Sequence, residues 1–301
     1  MKNKTKKRVG IIAVMLMVVV AIAATAGTTL AKYITSATVN SQSATVAQWG
    51  YTITTNGSTL FSEQYNANTI VTATNGTVDV KADAKVVAPG TSSNGATATD
   101  NALKVTINGY AEVDAQLVID ITDFNTVWLA AMENVTTATY YPLKWTITAG
   151  GDTNTAVIDL TGADTSKLNE KLAGEIAKNL GYEGVLPTGV TINSTKTTGS
   201  KVVIDLPAKT TIDNYALTIA WKWPFDNTVD ANSNDAADTV LGWLAYNAKQ
   251  TDDAKKIDGG ITVKDNAEVT VSGLKTLAAS KYNLEAKIGC KIQVVQTTNA
   301  A

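Results

Sequence analysis

Apolar and polar side chains alternate along many segments of the chain, which is the pattern of a β-strand with one buried face. In residues 113–121 five apolar side chains, those at every odd position, share one face, and Asp114, Gln116 and Asp120 lie on the other. The same period of two recurs in residues 103–107, 143–147, 202–206, 215–221 and 284–294. Because such strands bury their apolar faces against one another, the pattern predicts a two-layer sandwich.

Asn-Gly pairs, which favour tight turns, punctuate the first third of the chain. They are Asn56-Gly57, Asn75-Gly76, Asn94-Gly95 and Asn108-Gly109. The number of alternating segments and their uneven spacing predict an all-β fold, a jelly-roll-like antiparallel β-sandwich with one or two short helical insertions.

Two segments interrupt the alternation and predict helices. Within residues 164–181, large aliphatic side chains recur every four positions, at Leu168, Leu172, Ile176 and Leu180. The segment begins with Asp164 and ends at Gly181, as a capped amphipathic helix does. A helix that covers one end of the sandwich is favoured over a helix that binds a partner. Residues 124–134 are a candidate for a second short helix.

Residues 1–31 have the organisation of a secretory signal peptide. The first eight residues hold five cationic side chains and no acidic one, and a weakly polar to apolar run follows from Val9 to Gly27. Small residues end the run, so cleavage is predicted between Ala31 and Lys32. The alternative is a retained membrane anchor, because a bilayer-spanning helix needs at least roughly 17 apolar residues.

Cleavage would leave an acidic chain in which residues 32–48 form an N-terminal arm and residues 49–301 form one domain. It removes five of the 25 basic residues and none of the 27 acidic ones, so 20 bases remain against 27 acids and the formal charge is −7. Arg8 is the only arginine and would be lost. Nucleic acid is therefore not an expected partner.

The residue types that most hydrolases require are absent from the sequence. There is no histidine, which excludes Ser-His-Asp and Cys-His arrangements and the commonest zinc ligand. The single cysteine, Cys290, alternates in register with Ile288 and Ile292, so a buried small apolar side chain is favoured over a nucleophile. No catalytic residue is predicted.

The best metal candidate is the loop of residues 224–238. Its carboxylates, which are ligands that calcium prefers, are Asp226, Asp230, Asp235 and Asp238. The spacing is not that of an EF-hand. The alternative is a solvated turn before a helical segment at residues 236–248, with Asp235 or Asp238 as its N-cap. Calcium is thus the one cofactor considered, and none is required.

Several short blocks of the sequence resemble exported proteins of the TasA/camelysin family. They are the signal end Ala26-Gly27-Thr28-Thr29-Leu30-Ala31-Lys32-Tyr33, the loop Ala88-Pro89-Gly90-Thr91, and the segments Tyr140-Tyr141-Pro142-Leu143-Lys144-Trp145, Trp221-Lys222-Trp223-Pro224-Phe225 and Asp235-Ala236-Ala237-Asp238-Thr239-Val240-Leu241-Gly242. The signal end looks like one processed by a SipW-type signal peptidase. The blocks are scattered over the whole chain.

The resemblance implies a secreted jelly-roll subunit of a biofilm-matrix fibre at a Gram-positive cell surface. In such a fibre the segment released by signal cleavage adds as a strand to the next subunit, head to tail, with or without an accessory matrix protein. Here residues 32–46 would be that segment, with Tyr33, Val39 and Val46 as anchors. The alternative is a flexible arm with no role in assembly. Metalloprotease activity, described for some relatives, is not expected without histidine.

Two other function classes stay open at this stage. A surface-adhesive or carbohydrate-binding module would use the same sandwich and stack sugars on aromatic side chains. The candidates are Trp49, Tyr51, Tyr110, Trp221, Trp223 and Trp243. A glycosidase would need two facing carboxylates about 5 to 9.5 Å apart, which the sequence does not single out. No Leu-Pro-x-Thr-Gly motif lies near residue 301, so covalent attachment to a cell wall is not expected.

Overall fold

The computed structural model describes residues 46–55, 60–61, 69–73, 76–80, 87–93, 102–150, 154–224, 235–265 and 267–297. The predicted signal peptide and most of the predicted arm lie outside the described residues. So do six residues that carry site predictions, Ala31, Lys32, Tyr33, Val39, Asp226 and Asp230.

The described residues form antiparallel strands and two α-helices. The strands are β1 (Trp49–Thr55), β2 (Thr69–Ala73), β3 (Gly76–Val80), β4 (Leu103–Ala111), β5 (Ala115–Asn125), β6 (Trp128–Leu129), β7 (Lys144–Ala149), β8 (Asn154–Val157), β9 (Thr191–Ile192), β10 (Lys201–Leu206), β11 (Thr211–Lys222), β12 (Gly259–Asp265), β13 (Ala267–Ser272), β14 (Tyr282–Asn283) and β15 (Lys287–Gln296). The helices are α1 (Leu168–Leu180) and α2 (Asp235–Lys249).

Two sheets form the body of the domain. The five-stranded sheet has the order β1-β4-β11-β7-β8, and the four-stranded sheet has the order β15-β5-β10-β9. All of these pairs are antiparallel. Three further sheets have two strands each, β2-β3, β12-β13 and β6-β14. The strands predicted from alternation lie in these sheets.

The apolar faces of the two sheets meet in one core, which aromatic side chains fill. Trp145 and Trp221 are fully buried, and Phe61 stacks on Trp221 with ring centroids 5.6 Å apart. The indole N–H groups of these two tryptophans have acceptors: Trp145 Nε1 donates to Thr126 Oγ1 at 2.9 Å and Trp221 Nε1 to the Leu60 carbonyl at 3.0 Å. The core thus buries large rings without leaving these donors unsatisfied.

Helix α1 confirms a helix within residues 164–181, but Asp164 caps the 3-10 turn before it, and Lys167, the N-cap residue of α1, makes no side-chain cap hydrogen bond. Asp164 Oδ1 accepts from the Ser166 N–H at 2.9 Å, and a single 3-10 turn leads from there into α1. Gly181 ends the helix with a φ of −78°, so this C-cap is right-handed rather than left-handed. The buried apolar side chains of α1 are Leu168, Leu172, Ala173, Ile176 and Leu180.

Helix α2 confirms the prediction of a helical segment at residues 236–248. It begins at Asp235, and Asp238 lies inside its first turn, so Asp238 is not the N-cap. The Asp238 carboxylate instead accepts a hydrogen bond from the Tyr140 hydroxyl at 2.7 Å.

The prediction of a helix at residues 124–134 is wrong. Phe124 and Asn125 complete β5, and Trp128–Leu129 form β6, which pairs with Tyr282–Asn283. Val127, Trp128 and Leu129 are all buried, so the segment shows no two-faced pattern. A continuous apolar run cannot be assigned to a helix or a strand from its periodicity alone.

One Asn-Gly pair does not form a turn. Asn108 and Gly109 lie inside β4, where Gly109 pairs with Tyr51 of β1 on one side and with Ile212 of β11 on the other. Next to this point β11 has a bulge, in which the Asn214 N–H donates to Asn108 Oδ1 at 2.5 Å. Asn108 and Gly109 therefore lie where three strands, β1, β4 and β11, are paired side by side.

The prediction of an all-β sandwich with short helical insertions is confirmed, whereas a jelly-roll connection order remains a prediction. Neither α1 nor α2, nor any other helix in the described ranges, is both long and apolar enough to cross a membrane.

Candidate assembly surface

Strand β15 forms one edge of the four-stranded sheet. It pairs with β5 along its whole length, from Lys287 opposite Asn125 to Gln296 opposite Ala115. No strand of the described part of the chain pairs with its other side. An edge of ten residues is long, and the backbone groups of a strand that has no described strand on one side are a template for another strand.

The side chains of β15 that face the core are apolar and only half-buried. They are Ile288, Cys290, Ile292 and Val294, and all four pack against the core. Their partners on β5 differ, since Leu117, Ile119 and Ile121 are at most 3% exposed. The apolar side chains at this edge are therefore less buried than those of the neighbouring strand.

Strand β1 forms the edge of the five-stranded sheet on the same side of the sandwich, and β1 and β15 contact each other. Its core-facing side chains, Trp49, Tyr51 and Ile53, are also half-buried, and the Trp49 ring packs edge-on against that of Tyr51 with centroids 5.5 Å apart. We call the core-facing residues of β1 and β15 the open seam.

The opposite side of the sandwich is covered by α1. This helix contacts β5 and β10 of one sheet and β7 of the other. It also joins the end of β5, because Asn169 Oδ1 accepts from the Phe124 N–H at 2.6 Å. The strands that end the sheets on this side, β8 and β9, are four and two residues long, so they offer little edge to a partner.

The residue before β1, Gln48, is hydrogen-bonded to the residue after β4, Glu112. The Glu112 N–H donates to the Gln48 carbonyl at 3.0 Å, and the Gln48 N–H donates to Glu112 Oε2 at 2.9 Å. Val46, the predicted anchor that lies within the described residues, is 74% exposed. Its side chain is therefore not part of the core of its own subunit.

Cys290 lies at the middle of the seam and is half-buried, less than the full burial that its alternation predicts. Burial raises the pKa of the thiol above its ordinary value. A raised pKa keeps the sulfur protonated near neutral pH and lowers its reactivity, which agrees with the apolar role predicted for it.

The calcium prediction rests on residues that the structure describes only in part. Asp235 and Asp238 lie in the first turn of α2, and Asp238 is hydrogen-bonded to Tyr140. In the described ranges, no three acidic or cysteine side chains come together in a way that could hold a metal. Since Asp226 and Asp230 lie outside those ranges, a calcium site in this loop stays a prediction.

The aromatic side chains predicted as a sugar-binding platform do not form one surface. Trp221 and Trp223 are 2% and 5% exposed and belong to the core. Trp49 and Tyr51 line the seam, and Trp243 is half-buried on α2. The two tryptophans in the core therefore have no face free to stack on a sugar.

The blocks that resemble the TasA/camelysin family meet in pairs in the structure. The Gly90 N–H donates to the Trp223 carbonyl at 2.7 Å, and the Trp221 N–H donates to the Ser93 hydroxyl at 2.9 Å. Tyr140 and Asp238 join two other blocks. These segments thus stabilise the fold, while the seam lies elsewhere.

Sequence reasoning predicted β15 as a strand with one apolar face but missed two parts of the surface. It did not place β1 beside β15, although Trp49, Tyr51 and Ile53 alternate in the sequence and predict a strand. It also missed the Gln48–Glu112 contact, for which the sequence holds no signal because the two residues meet only in the fold.

Comparison with known proteins identifies no relative of this chain. No family model matches it, and neither a curated protein nor a solved structure is significantly similar to it.

Proposed function

We propose that this protein is an exported structural subunit of an extracellular or cell-surface fibre of the biofilm-matrix type, which assembles by β-strand addition. The observation that supports this most directly is the edge of β15, beside which no described strand lies and along which the core-facing apolar side chains are only half-buried. The signal-like residues 1–31 support export, and the resemblance described above supports a matrix fibre. The subunit's main partner is a second copy of itself.

Two interactions contribute favourable free energy when a strand adds to an edge, namely backbone hydrogen bonds and the burial of apolar side chains. Each backbone hydrogen bond gives a net of only about 0.5–1.5 kcal/mol, whereas fixing the backbone of each added residue costs about 1–2 kcal/mol. Backbone pairing alone therefore does not drive the addition. Covering apolar side chains must supply the difference, at about 25 cal/mol per Å² of apolar surface. The half-buried apolar row at the edge of β15 offers surface of this kind.

The sequence of the arm suits an added strand. From Tyr33 to Val46 it contains no charged residue, and it is rich in Thr, Val, Ile and Tyr, which favour strands. Tyr33 and Val39 are an even number of residues apart and would share one face of the strand. Val46 has the opposite parity, so a regular strand turns it to the other face, and Tyr33 and Val39 are the stronger anchors.

A contact of this kind is heterologous, since the arm of one subunit binds an edge of the next. Such contacts produce open filaments when the rotation between subunits does not close a ring. The protein is thus expected to polymerise head to tail. A subunit that lacks the arm, or whose edge is blocked, is expected to stop the growth of the filament at that end.

Electron microscopy of two forms of the protein tests the proposal. The chain beginning at Lys32 is expected to form filaments at high concentration, whereas the chain beginning at Ala47, which keeps the Gln48–Glu112 contact, is expected to stay monomeric. A matched control is the longer chain with Tyr33→Asp and Val39→Asp, which retains the arm but not its anchors. If both lengths form equal filaments, the arm is not the added strand; if neither does, the fibre proposal fails.

A further inference from the structure

We propose that the outer face of the five-stranded sheet binds an acidic polysaccharide. The residues concerned lie in four rows that cross neighbouring strands, and we call them the threonine face. They are Thr54, Thr106 and Ala216 in the first row, Lys104, Thr218, Thr148 and Thr155 in the second, Ala220, Thr146 and Val157 in the third, and Lys222 and Lys144 in the fourth. The inference adds a second partner to the proposed function and does not depend on how subunits assemble.

The alternation of burial shows that the side chains of the threonine face point away from the core. The residues between them on β4, β7 and β11 are buried, and Val105, Ile147 and Ile219 are each at most 4% exposed. At the margins of the face the side chains are open to solvent, and Val157 is 62% exposed. The face is therefore accessible in the folded subunit.

The threonine face carries positive charge and no negative charge. Asp213 is the only acidic residue of the five strands, and it lies in the bulge of β11, outside the four rows. Lys144 and Lys222 are both exposed and stand directly opposite each other on β7 and β11, where like charges repel. Neither lysine forms an ion pair with another described residue. The two lysines therefore present uncompensated positive charge in a chain that has more acids than bases.

Each lysine of the four-stranded sheet, by contrast, has an acidic neighbour. Lys201 Nζ lies 3.6 Å from Asp120 Oδ2, and Lys287 Nζ lies 3.1 Å from Asp123 Oδ1. Lys291 stands opposite Asp120 in the register of β15 and β5. Positive charge is thus compensated on one sheet and left uncompensated on the other, which favours an anionic partner for the threonine face.

The first three rows suit a partner that is rich in hydroxyl groups. Apart from Lys104, their side chains are small or β-branched, so the surface is shallow. The Thr148 and Thr155 hydroxyl oxygens lie 2.7 Å apart, and the Thr146 hydroxyl donates to the Ala220 carbonyl at 3.4 Å. Because a hydroxyl has one donor and two acceptor positions, these groups are able to accept further hydrogen bonds from a ligand.

An acidic polysaccharide matches the charge, the hydroxyl groups and the shape of the threonine face together. Its carboxylates would pair with Lys144 and Lys222, and its ring hydroxyls would bond to the threonines. Single-stranded nucleic acid relies on aromatic side chains on which its bases stack, and the four rows contain none. Small molecules bind in concave pockets, whereas a shallow face across several strands suits an extended polymer.

Affinity electrophoresis of the chain beginning at Lys32 tests the inference, at a protein concentration below that at which filaments form. The native gels contain polygalacturonate, which is a polymer of uronic acid, or dextran, which is neutral. Polygalacturonate is expected to retard the protein, and dextran is not. Since this chain has 20 bases against 27 acids, its net charge repels a polyanion, and retardation therefore reports a local site.

Two double variants locate the site, with folding checked by circular dichroism. Lys144→Gln with Lys222→Gln is expected to raise the apparent Kd for polygalacturonate about tenfold, because two ion pairs are lost. The matched control, Lys201→Gln with Lys287→Gln, removes the same charge from the four-stranded sheet and is expected to change the Kd less than about twofold.

Four results would overturn the inference: no retardation by polygalacturonate, equal retardation by dextran, equal retardation by single-stranded DNA in the gel, or equal losses in the two double variants. Retardation by polygalacturonate that only the Lys144 and Lys222 double variant loses would support it. None of these results bears on the fibre proposal, which the microscopy of filaments tests separately.

Discussion

The hydroxyl group of Tyr215 is buried without a hydrogen-bond partner among the described residues. Tyr215 lies on β11 and is 9% exposed, and burial strongly raises the pKa of its phenol. A buried polar group that has lost its bonds to water and gained none in return costs about 1–3 kcal/mol. We therefore expect Tyr215→Phe to increase the free energy of unfolding by about 1 kcal/mol, measured by urea denaturation at pH 7.

The raised pKa of Tyr215 predicts that the folded protein loses stability at alkaline pH. In the unfolded chain tyrosine loses its proton near pH 10, whereas folded Tyr215 holds its proton to a higher pH. Above pH 10 the unfolded state binds fewer protons than the folded state, so stability falls by about 1.4 kcal/mol per pH unit for each such group. Tyr215→Phe should make this decline shallower, and an identical pH profile in the variant and the parent protein would contradict the prediction.

At the scale of elements, Gly109 determines how closely β1 approaches β4. Its φ is +147°, and a Cβ there would lie 2.6 Å from the Cα of Tyr51. We expect Gly109→Ala to destabilise the domain by about 3 kcal/mol through overpacking and backbone strain, and to detach β1 first. Hydrogen exchange of the β1 amides, with thermal unfolding, measures both effects.

The matched control for this substitution is Gly174→Ala. Gly174 lies on the exposed face of α1, and a Cβ there would meet no atom within 4 Å. Because alanine favours a helix over glycine, this variant is expected to be more stable by roughly 0.5–1 kcal/mol. If both variants changed stability by the same amount, the packing argument for Gly109 would be wrong.

Elements with a clear two-faced pattern could be predicted from the sequence, and those without one could not. The strands around Leu117, Val105 and Ile219 and the helix around Ile176 have one apolar face, and the structure contains them. Residues 127–132 form a continuous apolar run without alternation, and pairing of residues 124–129 with β14 and β15 decided the conformation there. The turn prediction for Asn108-Gly109 was wrong for another reason. Pairing of β4 with β1 and β11 outweighs the local preference of these two residues for a turn.

At the scale of the whole molecule, the candidate site depends on which strands become edges. The sequence predicts that β15 is a strand with an apolar row, but not that β5 is its only neighbour in the described part of the chain. Nor does it predict that β1, far away in the sequence, lies beside β15. Sheet order arises from long-range pairing, so the open seam could be located only in the fold.

The central claim is that a strand from residues 32–46 binds and stabilises another subunit, and thermal unfolding of the chain beginning at Ala47 with a synthetic peptide of these residues tests it most directly. A ligand that binds only the folded state at 100 times its Kd adds about 2.7 kcal/mol of stability. For a domain of this size we expect Tm to rise by about 5–10 °C and to saturate with peptide concentration. A peptide with Tyr33→Asp and Val39→Asp should have little effect. An unchanged Tm, or an equal rise with both peptides, would contradict assembly by strand addition.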